Sequence, residues 1–235
     1  MKEKLVHQYL LSLAGDERKC KNLWKTFCAH GFAAEIYLNE PELGAYRLTN
    51  AGIVMFAKQS SEFQFNPGIK ITRYSGLNPG SGANVIQETK LIGPLPRILN
   101  SAKKTLTNQL RSFDPDRCKF SGEEHYPTDA WFEGLLNAVI HRSYRIKDPI
   151  TIDIFDDHLK ILSPGSFPEG ITTENICKNE LGRNPAIGAG IASFGGTGKG
   201  VSRIFSEMNA AGLPEPIYIT RSDSVKLVLK NRSSI

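Results

Sequence analysis

No segment of this chain approaches the ~20 consecutive apolar residues that a bilayer-spanning helix requires. The opening MKEKLVHQYLLSLAGDERKC holds too short an apolar run, followed by too many charges, for a signal peptide. A cytoplasmic location and no membrane partner are the expectation. Cysteine is scarce: Cys20, Cys28, Cys118 and Cys177 form no CxxC pair, which excludes a zinc ribbon and a dithiol redox motif and leaves reduced thiols as the default. Cys28-Ala29-His30 with Cys20 nearby matches no regular metal-ligand spacing. Internal repeats and low-complexity tracts are also missing, so solenoids and disordered linkers do not account for any part of the chain.

What is present is ordinary in bulk and uneven in detail. With 235 residues, 40% hydrophobic and 23% charged, the chain can bury one large core or two modest ones, and two units are expected: 1–112 and 113–235. The net charge of +5 is concentrated in the first unit, where residues 1–112 hold 15 lysines and arginines against 8 acidic residues. A basic half suits a nucleic-acid neighbour, although no recognition motif with interleaved aromatics accompanies it.

Apolar spacing at Leu5, Tyr9, Leu10 and Leu13, then at Leu23, Phe27 and Phe32, reads as short helices. Tyr46–Lys58 reads as a short buried helix with Thr49-Asn50 as its cap, and Gly68–Gly76 alternates as a strand. Residues 91–112 form an amphipathic helix behind Pro96, with Ile98, Leu99, Ala102, Leu106 and Leu110 on its apolar side. Residues 113–124 look like a connection. PITIDIFD and HLKILSPG, either side of Asp156-Asp157, predict a hairpin, VSRIFSEMNAAG a helix, and SVKLVLK a final strand.

Two features carry chemistry. In WFEGLLNAVIHRSY, Trp131 to Tyr144, the residues Glu133, Asn137 and His141 recur every fourth position and so form one stripe on a helix, outside the half occupied by Trp131, Phe132, Leu135, Leu136, Val139 and Ile140. Gly134 and Ala138 border the stripe and leave a low surface for a close-approaching backbone or ligand. A merely solvated polar face is the alternative. Tyr126-Pro127-Thr128-Asp129 offers a proline and polar residues for the helix start.

The second feature is Gly195-Gly196-Thr197-Gly198-Lys199-Gly200, directly before a helix, where backbone N–H groups and the helix N-terminus suit a phosphate. It is not a Walker A loop, because Lys199 is followed by Gly200 rather than Ser or Thr, and this excludes a P-loop helicase motor. It is not a Rossmann fingerprint either, having no convincing preceding strand and no acidic ribose reader. A tightly turned loop is the plain alternative.

Taken in order, YRLTNAGIVMF, YPTDAWFEGLLNAVIHRSY, IDIFDDHLKILSPGSFPEGIT, Arg183-Asn184-Pro185 and GTGKGVSRIFSEMNAAGLPEP resemble the divergent GHKL-type ATPase-like domains called RecG C-terminal-like, or transcriptional regulators linked to a Schlafen AlbA-type domain. The resemblance runs from about residue 46 to the end. It implies an α+β fold, a GHKL (Bergerat)-like layer of helices on a mixed sheet, with a smaller α/β amino-terminal unit. It further implies ATP and Mg²⁺ as cofactors, with Glu133 as general base toward water and Asn137 as magnesium ligand. His141 would lie near phosphate or cap the helix end. Gly196, Thr197, Gly198, Lys199 and Gly200 would clasp phosphates, and Ser163 and Gly165 would stand where the family reads adenine.

This sequence departs from that pattern. Ser163 replaces the adenine-reading Asp, Phe167 stands where a second glycine is expected, and the stretch from Arg183 to Gly196 is short. With neither a full Schlafen-type domain before residue 46 nor a winged helix after Lys230, the chain reads as a truncated piece of a longer protein or a reduced member. Two functions follow as expectations: an ATP-binding regulatory domain of a bacterial DNA-linked regulator or helicase-related protein, with slow or absent hydrolysis, or a non-enzymatic protein or nucleic-acid interaction module that has lost nucleotide binding. Both leave room for homo-oligomers.

Overall fold

The computed structural model of the chain describes residues 27–36, 45–57, 68–77, 85–114, 119–178, 182–192 and 200–232. The helical spacing read at Leu5 to Leu23 lies outside them. Strands β1 (Ala33–Ile36) and β2 (Ala45–Leu48) pair antiparallel, where the sequence had suggested helix and loop. Helix α1 (Asn50–Phe56) follows at once. Thr49 is its cap as expected: the side chain accepts the Gly52 N–H at 3.2 Å, which satisfies one of the donors a helix start leaves open. Phe27, Phe32 and Phe56 then interlock with ring centroids 5.0 to 6.0 Å apart, tying the early chain to the core.

Six strands build the main sheet in the order β4-β3-β7-β8-β10-β9. They are β3 (Ile69–Tyr74), β4 (Val85–Leu91), β7 (Ile150–Ile154), β8 (His158–Pro164), β9 (Ile217–Thr220) and β10 (Ser224–Lys230). All neighbours are antiparallel except β3 and β7, so the sheet is mixed. A parallel pair demands a crossover. Here it carries helix α2 (Leu95–Gln109), the hairpin β5 (Arg111–Asp114) and β6 (Lys119–Glu124), and helix α3 (Thr128–His141). The stretch expected to be a connection is that hairpin. Strands from both sides of residue 112 thus lie in one sheet.

Alternation along the strands separates two faces. Ile71, Ile152, Ile161 and Leu227 are in register across four strands and buried, while Lys70, Asp153, Lys160 and Lys226 point the other way. Asp153 is half-buried, and burial raises its pKa against the pull of Lys160, Lys70 and Lys226. Asp156 is exposed, as expected, and is held by Arg73 at 2.8 Å and by the Gly76 N–H at 2.6 Å. The helices cover the apolar face. α2 lies over β3 and β4, α3 over β8, and α5 (Gly200–Ala210) packs along α3; α4 (Pro185–Ala192) sits at the end of α3. The result is the expected α+β arrangement, one helical layer on a mixed sheet.

Candidate functional site

The striped helix α3 begins without a side-chain cap: Pro127 occupies the cap position and its ring fixes the entry. Asp129 in the first turn suits the helix dipole and pairs with Arg203 of α5. From Ala130 to His141 every residue is buried or half-buried. The solvated-face alternative therefore does not hold, because α5 and the sheet enclose the side that the stripe occupies. Gly134 explains how: a Cβ there would stand 2.7 Å from Leu227 Cδ2 and 3.3 Å from Ile161 Cδ1, so the missing side chain lets the helix settle on the sheet. The low surface at Gly134 is consequently a packing surface.

Each stripe residue has a different role. Glu133 is 5% exposed, and its Oε1 accepts the Gly200 N–H at 3.1 Å, so the carboxylate sits at the positive end of α5. Gly200 has φ +57, which accounts for glycine at that junction. Asn137 is half-buried, and its buried Nδ2 has no hydrogen-bond partner among the described residues. His141 is the last residue of α3; burial, then the neighbouring Arg183 guanidinium, hold its pKa below the ordinary value.

The hairpin contributes the opposite wall. Ser163 is buried at the end of β8 and its Oγ donates to the Ala138 carbonyl at 2.9 Å, leaving the oxygen's lone pairs available as acceptors. Gly165 has φ +104, and a Cβ would fall 2.3 Å from Arg183 Nη1 and 2.9 Å from Ser143 Cβ, so only glycine fits. Its N–H donates to the Asp223 carbonyl at 2.6 Å, and Arg183 Nη2 donates to the Ser166 carbonyl at 2.5 Å. These bonds fix the turn after β8 against α3 and the β9–β10 hairpin.

Asn137, His141, Ser163, Gly165, Phe167 and Tyr218 converge on one cavity of about 70 Å³. Tyr218, from β9, was not singled out in the sequence. Its ring stacks on Phe205, its hydroxyl is buried without a partner, and burial raises its pKa above the usual phenol value. Only the alternation of Ile217-Tyr218-Ile219 could have flagged it, and that pattern does not separate a lining tyrosine from a packed one. Two unpartnered buried polar atoms, one amide and one hydroxyl, each cost roughly 1–3 kcal/mol unless a water or ligand meets them. Glu133 and Gly200 adjoin the cavity without lining it. Gly196, Thr197, Gly198 and Lys199 lie outside the described residues.

Residues 147–229 match the family model described as "Putative ATP-dependent DNA helicase recG C-terminal". That stretch holds β7 to β10 with α4 and α5, and the match is consistent with a divergent ATPase-like domain. Among solved structures, the DIP2311 protein from Corynebacterium diphtheriae is similar in fold, with a TM-score of 0.70 at 21% sequence identity. The likeness covers 98% of this chain and 37% of that one, so the chain spans little more than a third of that protein's length. No curated protein matches the chain. Among the described residues, no helix is long and apolar enough to cross a membrane, and no group of three or more His, Cys, Asp or Glu could hold a metal ion.

Proposed function

We propose that this chain is an ATP-binding regulatory domain of a bacterial DNA-linked transcriptional regulator or helicase-related protein, with slow or absent hydrolysis. The observation that carries the reading is the convergence of Asn137, Ser163 and Gly165, from a helix and the far end of a hairpin, on one cavity holding two unpartnered polar atoms. Ser163 offers an acceptor for an exocyclic amine, and the Asn137 amide lines the same cavity. Magnesium would fit only as a companion of the nucleotide, with Asn137 offering one neutral amide oxygen. Slow turnover is supported by Glu133, whose nearly buried carboxylate has one oxygen engaged by the Gly200 N–H and does not line the cavity.

At about 70 Å³ the cavity is well below the roughly 300–1,000 Å³ usual for small-molecule pockets, so a nucleotide enters only by displacing lining side chains. That small volume favours a second reading, a non-enzymatic protein or nucleic-acid interaction module that has lost nucleotide binding. Calorimetric titration of ATP and magnesium into the wild type and Asn137→Ala separates the two. The nucleotide reading expects wild-type binding and loss of its magnesium-dependent part in the variant. Heat absent from both titrations would leave the interaction module standing.

A further inference from the structure

A second cavity lies on the other side of Arg183. It measures about 560 Å³ and opens between α1, the loop after α3 and the first turn of α4. Among the described residues its charged lining residues are Arg145 and Arg183, and no carboxylate accompanies them. Neither guanidinium forms an ion pair with an acidic side chain among the described residues; Arg183 spends one N–H on the Ser166 carbonyl, and Arg145 is exposed. The remaining polar groups, from Ser143, Asn50 and Asn184, sit beside an apolar floor of Val54 and Ile187.

Two unpaired arginines on a concave wall attract an anion, and their planar forks suit the paired oxygens of phosphate or carboxylate. The volume falls within the range usual for small organic ligands. We infer that this second cavity is a binding site for a small organic anion, a phosphate monoester or carboxylate, held between Arg145 and Arg183. The site does not depend on the nucleotide reading. Arg183 nevertheless touches the wall of the first cavity: its Nη1 is packed over Gly165, its Nη2 bonds the Ser166 carbonyl, and its charge bears on His141, all three of which line that cavity. An anion on Arg183 is thus placed to alter the first cavity.

Inorganic phosphate and, in parallel, glycerol 3-phosphate are the probes, titrated into the intact chain and followed by amide chemical shifts. Saturable shifts at Ser143, Arg145 and Arg183 are expected. Arg145→Gln should weaken binding about tenfold, the effect of losing one charge-assisted pair, while Lys147→Gln, an exposed cation outside the cavity, should not. Because Arg145 is exposed, its replacement leaves the core intact. Tighter binding of glycerol 3-phosphate than of phosphate supports an organic ligand; equal affinity narrows the site to the phosphate group alone. Equal losses in Arg145→Gln and Lys147→Gln, or no saturation with either probe, would overturn the proposal.

Discussion

Helices α2 and α3 have the same kind of sequence, apolar residues along one side and polar ones along the other, and lie on the same sheet, yet their polar sides meet different fates. In α2, Asn100, Lys103, Lys104 and Asn108 are exposed, and its apolar residues Ile98, Leu99, Ala102 and Leu106 face the core. In α3, Glu133, Asn137 and His141 are enclosed, because α5 crosses the side that solvent covers on α2. Polar groups in water need no explanation; polar groups held inside must each find a partner or await one. Glu133 has found Gly200, and Asn137 has not found a partner for its Nδ2.

Substitutions can break this contrast. The largest effect is expected at Leu135, fully buried on α3: Leu135→Ala should cost ~2–5 kcal/mol in denaturant unfolding, as a core cavity does. Glu133→Ala should cost about 1–3 kcal/mol by the same measurement, since it strands the Gly200 N–H, and Glu133→Gln, which keeps an acceptor, should cost less. His141 sharpens the contrast through pH. Its folded pKa lies below the ordinary 6.5, so the unfolded chain takes up the proton first as the solution is acidified. The stability it contributes is complete above that value and is lost as pH falls through the depressed folded pKa. His141→Gln should remove this slope from unfolding curves recorded across that window. Smallest of all, Lys104→Ala on the solvated side of α2 should change stability by no more than about 0.5 kcal/mol.

The strongly periodic elements were legible in the sequence. The Thr49 cap, the β7–β8 hairpin, α2, α3, α5 and β10 follow from local signals that the tertiary structure does not override. β4 and β9 escaped because they are edge strands whose side chains are mostly exposed, so burial never imposes a period-2 pattern on them. The hairpin at 111–124 carries charges and a glycine that read as loop. At the site, spacing placed Glu133, Asn137 and His141 on one stripe and the resemblance named Ser163 and Gly165; the structure brings Asn137, His141, Ser163 and Gly165 to one cavity and adds Tyr218. What the stripe faces depends on α5 and β9, which lie 60 or more residues further along the chain, and no local pattern carries that information. The close approach read at Gly134 is there, made by Leu227 and Ile161 beside the cavity that Gly134 also lines, but the identity of those neighbours depends on distant strands.

The most direct measurement is a residue-resolved amide NMR titration of the protein with ATP and magnesium. Shifts concentrated at the Asn137 side-chain amide, Ser163, Gly165 and Gly200, with α2 silent, are the predicted result. Shifts absent at those positions at saturating nucleotide, or spread over α2 as strongly as over α3, would contradict the assignment of the enclosed stripe to nucleotide binding.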